Sequence, residues 1–510
     1  MKGPGRLGET RQFDVQSLLF LVFAGVVFVY VARFGDPTHP FLDTDLWWHL
    51  ANGRYILAHG VPSTDVYSHT AVGHVWVVHE WLSDVLFFGL YRVGGMAILA
   101  ILSAAAVCAG MILVYRGLRR GGLGNGSAVM VGMVLFIASV VSFGARPQVI
   151  NFLLTGILCA VLLAYRALPS PRIWWLLPFF VLWANLHSGY LVGVGLLAVF
   201  TVAEAIQVAS PRAAGLRQVG VELLSKHDVR RLWVLVPLGY LAGLLTPGTY
   251  RTLFFAVGTL SSGLIQANIV EWFSPDFHQL QGKALLLCIL LLVVGLLAAR
   301  RGARSGASDP TYVPWGVATL ALALTSQRHV PIFAIAAAPL LGGAVAATLE
   351  TLGAAPRRVR KPTPMMVRLN VVILLVLAIV GAGFVYLNLR RSVVDSVTAS
   401  VEPVAATNWM LAHHTGRELF NNYGFGGWLT WKAQPQYPVF IDGRVEVYGD
   451  QVYGNYLQVE NLADNWSEIL AYYHVKTLML TPGDRLSLLL PAKGWKLAYR
   501  DEVAAVYTHE

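Results

Sequence analysis

Long apolar stretches alternate with short polar ones over the first three quarters of the chain. The stretches run to roughly 17 to 22 residues, enough to cross a ~30 Å hydrocarbon layer as helices, and about ten or eleven recur. The first, residues 15–32, follows Lys2, Arg6 and Arg11 in the charge order of a signal peptide. It is long and lacks a small-residue cleavage site before Arg33, so it is predicted to be an uncleaved span. After the last run, residues 371–389, the texture changes. Short β-type runs (PVFID, VKTLML, VAAVYTH) alternate with helix-like stretches at 404–411 and 466–473. The pattern predicts a polytopic α-helical membrane domain over residues 1–390 and a soluble α/β domain over 391–510.

Composition agrees: 56% of the 510 residues are hydrophobic and only 13% charged, as expected of a chain that folds in a bilayer. The net charge of +10 does not point to nucleic acid, because the Lys and Arg residues sit in short loops and form no stripe interleaved with aromatics. Those loops report topology. Basic segments at 1–11, 116–120, 166–172, 212–231, 300–304 and 357–368 fall on alternate turns, which makes them, and the N-terminus, cytoplasmic. The intervening segments then face outward: 35–94, the ARPQ turn, the NLHSG turn, 246–281 and the QRHVP turn, followed by the C-terminal domain. A multi-pass protein of the bacterial inner membrane is expected. Cys108, Cys159 and Cys288 each lie inside an apolar run and offer no disulfide or metal spacing.

The side chains capable of chemistry concentrate in the outward segments. Asp43 and Asp45 open the stretch FLDTDLWWHL, whose Leu and Trp spacing predicts an amphipathic helix lying at the interface with its indoles at the headgroups. The same loop closes on HVWVVHEWLSD, returning His79, Glu80 and Asp84 to the mouth of the next span.

An acidic D-x-D-like pair directly after the first span, a large first outer loop (about 35–94), many spans and an outward C-terminal domain together resemble the GT-C superfamily of membrane glycosyltransferases, which includes protein mannosyltransferases and oligosaccharyltransferase catalytic subunits. The W-W-D-Y-G motif of the oligosaccharyltransferases is absent, which argues against transfer of a whole glycan onto asparagine. The chain is also similar to bacterial membrane proteins sharing DLWWH, HEW, RPQ, NLH and FIDGR segments. The superfamily resemblance implies first-loop acids in the active site and donors that are sugars on polyprenyl phosphate or pyrophosphate.

Such a reaction needs a carboxylate to take a proton from the acceptor hydroxyl and cations to neutralise the departing phosphate. Asp43, Asp45 and Glu80 are the candidates for the first task, and Asp43 and Asp45 also for holding a divalent cation such as Mg or Mn. Arg328, with His329 and Arg146, is the candidate for the second, a guanidinium fork suiting phosphate oxygens. His79, His187, Glu271 and Arg444 are further candidates. Each has a plainer reading: Asp43 and Glu271 as helix caps, Asp65 as a turn residue, Arg146 as a headgroup anchor, His187 as a satisfied structural histidine. Arg444 is open to contact with an anionic acceptor or to pairing with Glu446, and the glycines of NNYGFGGWLTW to tight packing. The expected activity is sugar transfer to a glycan, lipid or protein acceptor outside the cytoplasm. The alternatives are a transporter or flippase of lipid-linked glycans and a non-catalytic scaffold of an envelope polysaccharide machine.

Overall fold

The computed structural model describes residues 14–33, 43–210, 223–300, 309–354 and 362–509. The basic segment 1–11 and parts of those at 212–231, 300–304 and 357–368 lie outside the described residues, as does the start of the first outer loop.

The chain is a polytopic helical protein with a small C-terminal sheet. Among the described residues six helices are long and apolar enough to span a bilayer: Trp81–Arg120, Asn125–Ser142, Gln148–Ala167, Tyr190–Ala209, Leu280–Ala299 and Pro364–Asn388. A seventh is reached by joining Gln327–Ala336 to Ala338–Thr351 across a 67° bend. This is fewer than the ten or eleven apolar runs of the sequence, because several runs fold as shorter pieces: Val15–Val31, Leu176–Leu186, Lys226–Leu241 with Pro237 inside it, and Tyr312–Thr325. The bend follows the proline rule, since Pro339 falls in the first turn of the second piece, where its missing N–H costs no helical bond.

Small residues let the spans approach closely. A Cβ at Gly121 would overlap the Pro339 carbonyl and one at Gly342 the Leu118 carbonyl, so Trp81–Arg120 and Ala338–Thr351 meet backbone to backbone. The 40-residue helix Trp81–Arg120 is itself broken at Gly94 and Gly95, the latter at φ +61°, where glycine avoids the Cβ penalty. Its first segment therefore leaves the bundle axis and packs beside the surface helix Asp45–His59, where Gly53 lies against the Asp84 carbonyl.

The C-terminal segment carries a four-stranded sheet: β1 (Leu419–Asn421), β2 (Thr477–Leu480), β3 (Lys496–Arg500) and β4 (Ala505–Thr508), in the order β1-β2-β4-β3. β1 runs parallel to β2, with Phe420 opposite Leu478, and the other pairings are antiparallel. VKTLML and VAAVYTH form strands as expected. PVFID makes only a bridge, Val439 to Ser68, and the residues after it open the helix Val445–Glu460.

The first loop and this segment share one core. Trp48, Ile56, Tyr67 and Trp76 pack with Phe420, Phe440, Tyr456 and Leu478. Thr70 Oγ1 donates to the Phe440 carbonyl at 2.6 Å and Arg54 to that of Trp431 at 3.0 Å. The tryptophans of DLWWH consequently depart from the expected interfacial placement: Trp47 and Trp48 are buried under the C-terminal segment, Trp47 donating to Glu402 at 2.8 Å.

Candidate active site

Where the ends of the spans meet the first loop and the C-terminal segment there is a cavity of about 700 Å³. Nine of the ten predicted site residues line it: Asp43, Asp45, His79, Glu80, Arg146, His187, Glu271, Arg328 and His329. The segments DLWWH, HEW, RPQ, NLH and FIDGR, far apart in sequence, each contribute to its wall.

One cluster is built on Arg146. The turn before helix Gln148–Ala167 holds its guanidinium inside the cavity, not at the headgroups, with Nε 3.0 Å from Asp43 and a terminal nitrogen 3.2 Å from Asp45, while the other terminal nitrogen pairs with Glu271. Asp43 also accepts the Asp45 backbone N–H at 3.0 Å, so the cap reading and the ion-pair reading hold together. Three carboxylates thus share one guanidinium. Burial, reinforced by the neighbouring Asp43 charge, pushes the Asp45 carboxyl up to about 6 against the pull of Arg146 and His49.

The second cluster is built on Glu80, the residue that precedes helix Trp81–Arg120. Its carboxylate meets His187 Nε2 at 3.0 Å, His79 Nε2 at 3.4 Å and His49 Nε2 at 3.6 Å. Behind it, His49 Nδ1 meets the fully buried Asp84 at 2.6 Å, and Asn52 donates to the other Asp84 oxygen at 2.6 Å. Burial opposes charge on Glu80, yet the surrounding imidazoles hold its carboxyl well below the usual range.

Hydrogen-bond accounting fixes two of the rings. His187 Nδ1 accepts the Gly189 N–H at 2.7 Å, so its proton sits on Nε2 and the ring is neutral. Burial, which lowers His187 to about 4, agrees. His79 faces only acceptors, the Val77 carbonyl at 3.3 Å and Glu80, so both its nitrogens carry protons. Burial lowers the His79 pKa, but Glu80 outweighs it and carries the ring to about 9.

Arg328 stands apart. It lines the cavity with its guanidinium 4.6 Å over the Trp272 ring, and among the described residues no carboxylate lies within ion-pair distance of it. The turn that carries it is pinned to segment 246–281, Ser326 donating to the Glu271 carbonyl at 2.9 Å and Gln327 to that of Val270 at 2.6 Å. His329 follows, with its buried Nδ1 lacking a partner among the described residues.

Arg444 is the exception, and neither sequence reading of it stands. It is fully buried, bound to Asp442 at 2.7 Å and to Asp65 at 2.8 Å, and sandwiched by Tyr67 and Trp76, so it neither faces an acceptor nor pairs with Glu446. The clamp sets the FIDGR turn against the first loop, where Gly443 touches Asp45 so closely that a Cβ would overlap its carboxylate. Asp65, a turn residue in the sequence reading, accepts the Ser68 N–H at 2.8 Å as well. His49, Asp84, Tyr423 and Glu446 are not assigned to the site from sequence: His49 and Tyr423 sit unremarked in quoted motifs, Asp84 reads only as returning to the span mouth, and Glu446 only as a partner for Arg444.

As a site for Mg or Mn the acids fit poorly. Asp43 and Asp45 both turn to Arg146, and among the described residues no set of three or more His, Cys, Asp or Glu side chains is disposed to hold an ion.

The architecture is GT-C-like. AglB, the archaeal oligosaccharyltransferase from Archaeoglobus fulgidus solved with an inhibitory peptide and a dolichol-phosphate, matches with a TM-score of 0.52 at 13% identity, over 96% of this chain and 74% of its own. ArnT from Cupriavidus metallidurans, solved with undecaprenyl phosphate and in the apo state, gives 0.48 at 16% identity over 96% and 97% of the two chains. No family model matches the chain, and no curated protein does.

Proposed function

We propose that this protein is a GT-C-type glycosyltransferase of the bacterial inner membrane, moving a sugar from a polyprenyl-phosphate or pyrophosphate carrier to an acceptor at the extracytoplasmic face. The observation that carries the reading is the pairing, in one cavity, of a guanidinium that no carboxylate engages among the described residues, Arg328, with a carboxyl pushed up to about 6, Asp45. A solved structure of the same fold contains a dolichol-phosphate, which makes a polyprenyl carrier the natural donor.

In the reaction the acceptor oxygen bonds to the anomeric carbon as the bond from that carbon to the phosphate oxygen breaks. The electron pair leaves with the phosphate, whose charge Arg328 neutralises with His329 beside it, and the hydroxyl proton passes to Asp45. Arg146 holds Asp43, Asp45 and Glu271 in place. Glu80, saturated by three imidazoles, positions the wall rather than acting as base. No step passes through a metal, and transfer is expected to persist in EDTA.

The test uses purified protein in nanodiscs with radiolabelled polyprenyl-phosphate hexoses and pentoses and an envelope extract as acceptor. Asp45→Asn is expected to lower transfer by roughly 100- to 10,000-fold, the usual worth of a general base, with the thermal melt preserved. Undiminished transfer would remove Asp45 from the mechanism. Carrier movement across proteoliposomes without a new glycosidic bond would favour a flippase instead.

A further inference from the structure

The cavity wall mixes apolar and polar side chains, and both the spans and the C-terminal segment supply some of each. The spans contribute apolar side chains, Leu191, Val192, Leu322 and Ile332, beside Arg328. The C-terminal segment contributes Tyr423, Glu446, Glu460 and Asn461, which are hydroxyl, carboxylate and amide groups.

Two of these have unspent hydrogen-bonding capacity. Glu446 is half-buried in the first turn of helix Val445–Glu460, directly after the clamped Arg444; its carboxylate accepts its own backbone N–H and feels the charges of His79 and Arg444, and among the described residues no ion pair and no side-chain hydrogen bond engages it. Every other carboxylate deep in the cavity is paired: Asp43, Asp45 and Glu271 with Arg146, Glu80 with histidines. The Tyr423 ring is half-buried with its backbone N–H donated to Tyr456 at 3.0 Å, while its hydroxyl has no partner among the described residues. It lies close enough to Asp45 and Glu446 for their charges to act on it. A carboxylate has about four acceptor sites, so one bonded only to its own backbone N–H keeps sites that the hydroxyls of a ligand can fill.

Resting on the transferase reading above, we propose that Glu446 and Tyr423 form the acceptor subsite and that the acceptor is a carbohydrate, whose hydroxyl donates to Glu446 while its neighbour is presented to Asp45. A carboxylate accepts hydroxyl hydrogens and a phenol both donates and accepts, which matches the vicinal hydroxyls of a sugar ring. A peptide received by strand addition would need an open strand edge on the cavity, and no residue of β1 to β4 lines it. A lipid acceptor would compete with the carrier for the apolar wall that the spans provide.

The full chain in nanodiscs is presented to an array of soluble bacterial oligosaccharides and to a peptide array, and its binding of undecaprenyl phosphate is measured in parallel. Retention on oligosaccharides, weakened at least tenfold by Glu446→Gln and partly by Tyr423→Phe, supports the inference. In the transfer assay the same variants are expected to raise the acceptor KM more than they lower kcat, a split that a merely structural role would not produce. Retention of peptides, or of neither array, overturns it. If undecaprenyl phosphate still binds in that case the donor reading stands alone, and if it does not, both fail.

Discussion

At the scale of single residues the site separates its acids by environment. Asp45 shares a guanidinium with two other carboxylates and is pushed up to about 6 by burial and by Asp43, whereas Glu80 is held ionised by imidazoles. A base must be deprotonated to work, so the transfer rate is expected to rise with pH through about 6 and level off above it, and the limb should vanish in Asp45→Asn. A rate–pH profile on purified protein decides it. Glu80 carries a stability prediction of the opposite kind. Removing one partner of a buried ion cluster strands the rest, so Glu80→Gln is expected to cost about 3–5 kcal/mol. The signs follow from linkage. The depressed Glu80 contributes stability above the unfolded carboxylate range and loses it as pH falls, while the raised His79 contributes below the usual histidine range and loses it as pH climbs through about 9. Thermal melts should therefore show a plateau between these limits in the wild type, and both limbs should flatten in the variant, which removes the depressed carboxylate and the charge that raises His79.

At the scale of elements, close approach sets the site. Gly443 abuts Asp45, and Gly427 the Thr44 carbonyl, so the C-terminal segment forms part of the mould that shapes the first-loop acids. Gly443→Ala is expected to displace Asp45 and reduce transfer at least tenfold. Gly126→Ala, placed where nothing lies within 4 Å, should leave transfer unchanged. Activity assays on the two variants check it. The sequence disclosed the helix Asp45–His59 through its Leu and Trp spacing, and most of the site residues through their unusual place among sparse polar positions. It did not disclose which way that helix faced. Amphipathic spacing is the same whether the apolar side meets lipid or a folded segment more than 350 residues away, and Trp47 bonds to Glu402 across that distance. Arg444 misled for a related reason: an arginine in a turn reads as exposed, and only tertiary packing brings Asp65 to it. Tyr423 and Glu446 carry no local signature, because what distinguishes them is their place in the wall of a cavity built from distant segments.

At the scale of the whole molecule, orientation follows from where charge is spent. Helix Gln148–Ala167 meets the cavity at its first turn through Gln148, and at its other end Arg166 is buried against Glu204 at 2.7 Å and Asp309. Arg166 was counted among the topology-setting residues, yet it is neutralised inside the protein, so the proposed cytoplasmic placement of that face rests on Arg172 and the remaining basic loops. Cysteine labelling tests the arrangement, because the natural thiols are shielded: Cys159 and Cys288 are buried and Cys108 half-buried. Leu168, beside Arg166, and Leu488, in the C-terminal segment, are each 78% exposed and make matched reporters. With a membrane-impermeant maleimide, Leu488→Cys is expected to react in intact spheroplasts and Leu168→Cys only after lysis. The reverse pattern would place the cavity on the cytoplasmic side, where nucleotide sugars are at hand, and the case for a lipid-linked donor would lose its footing.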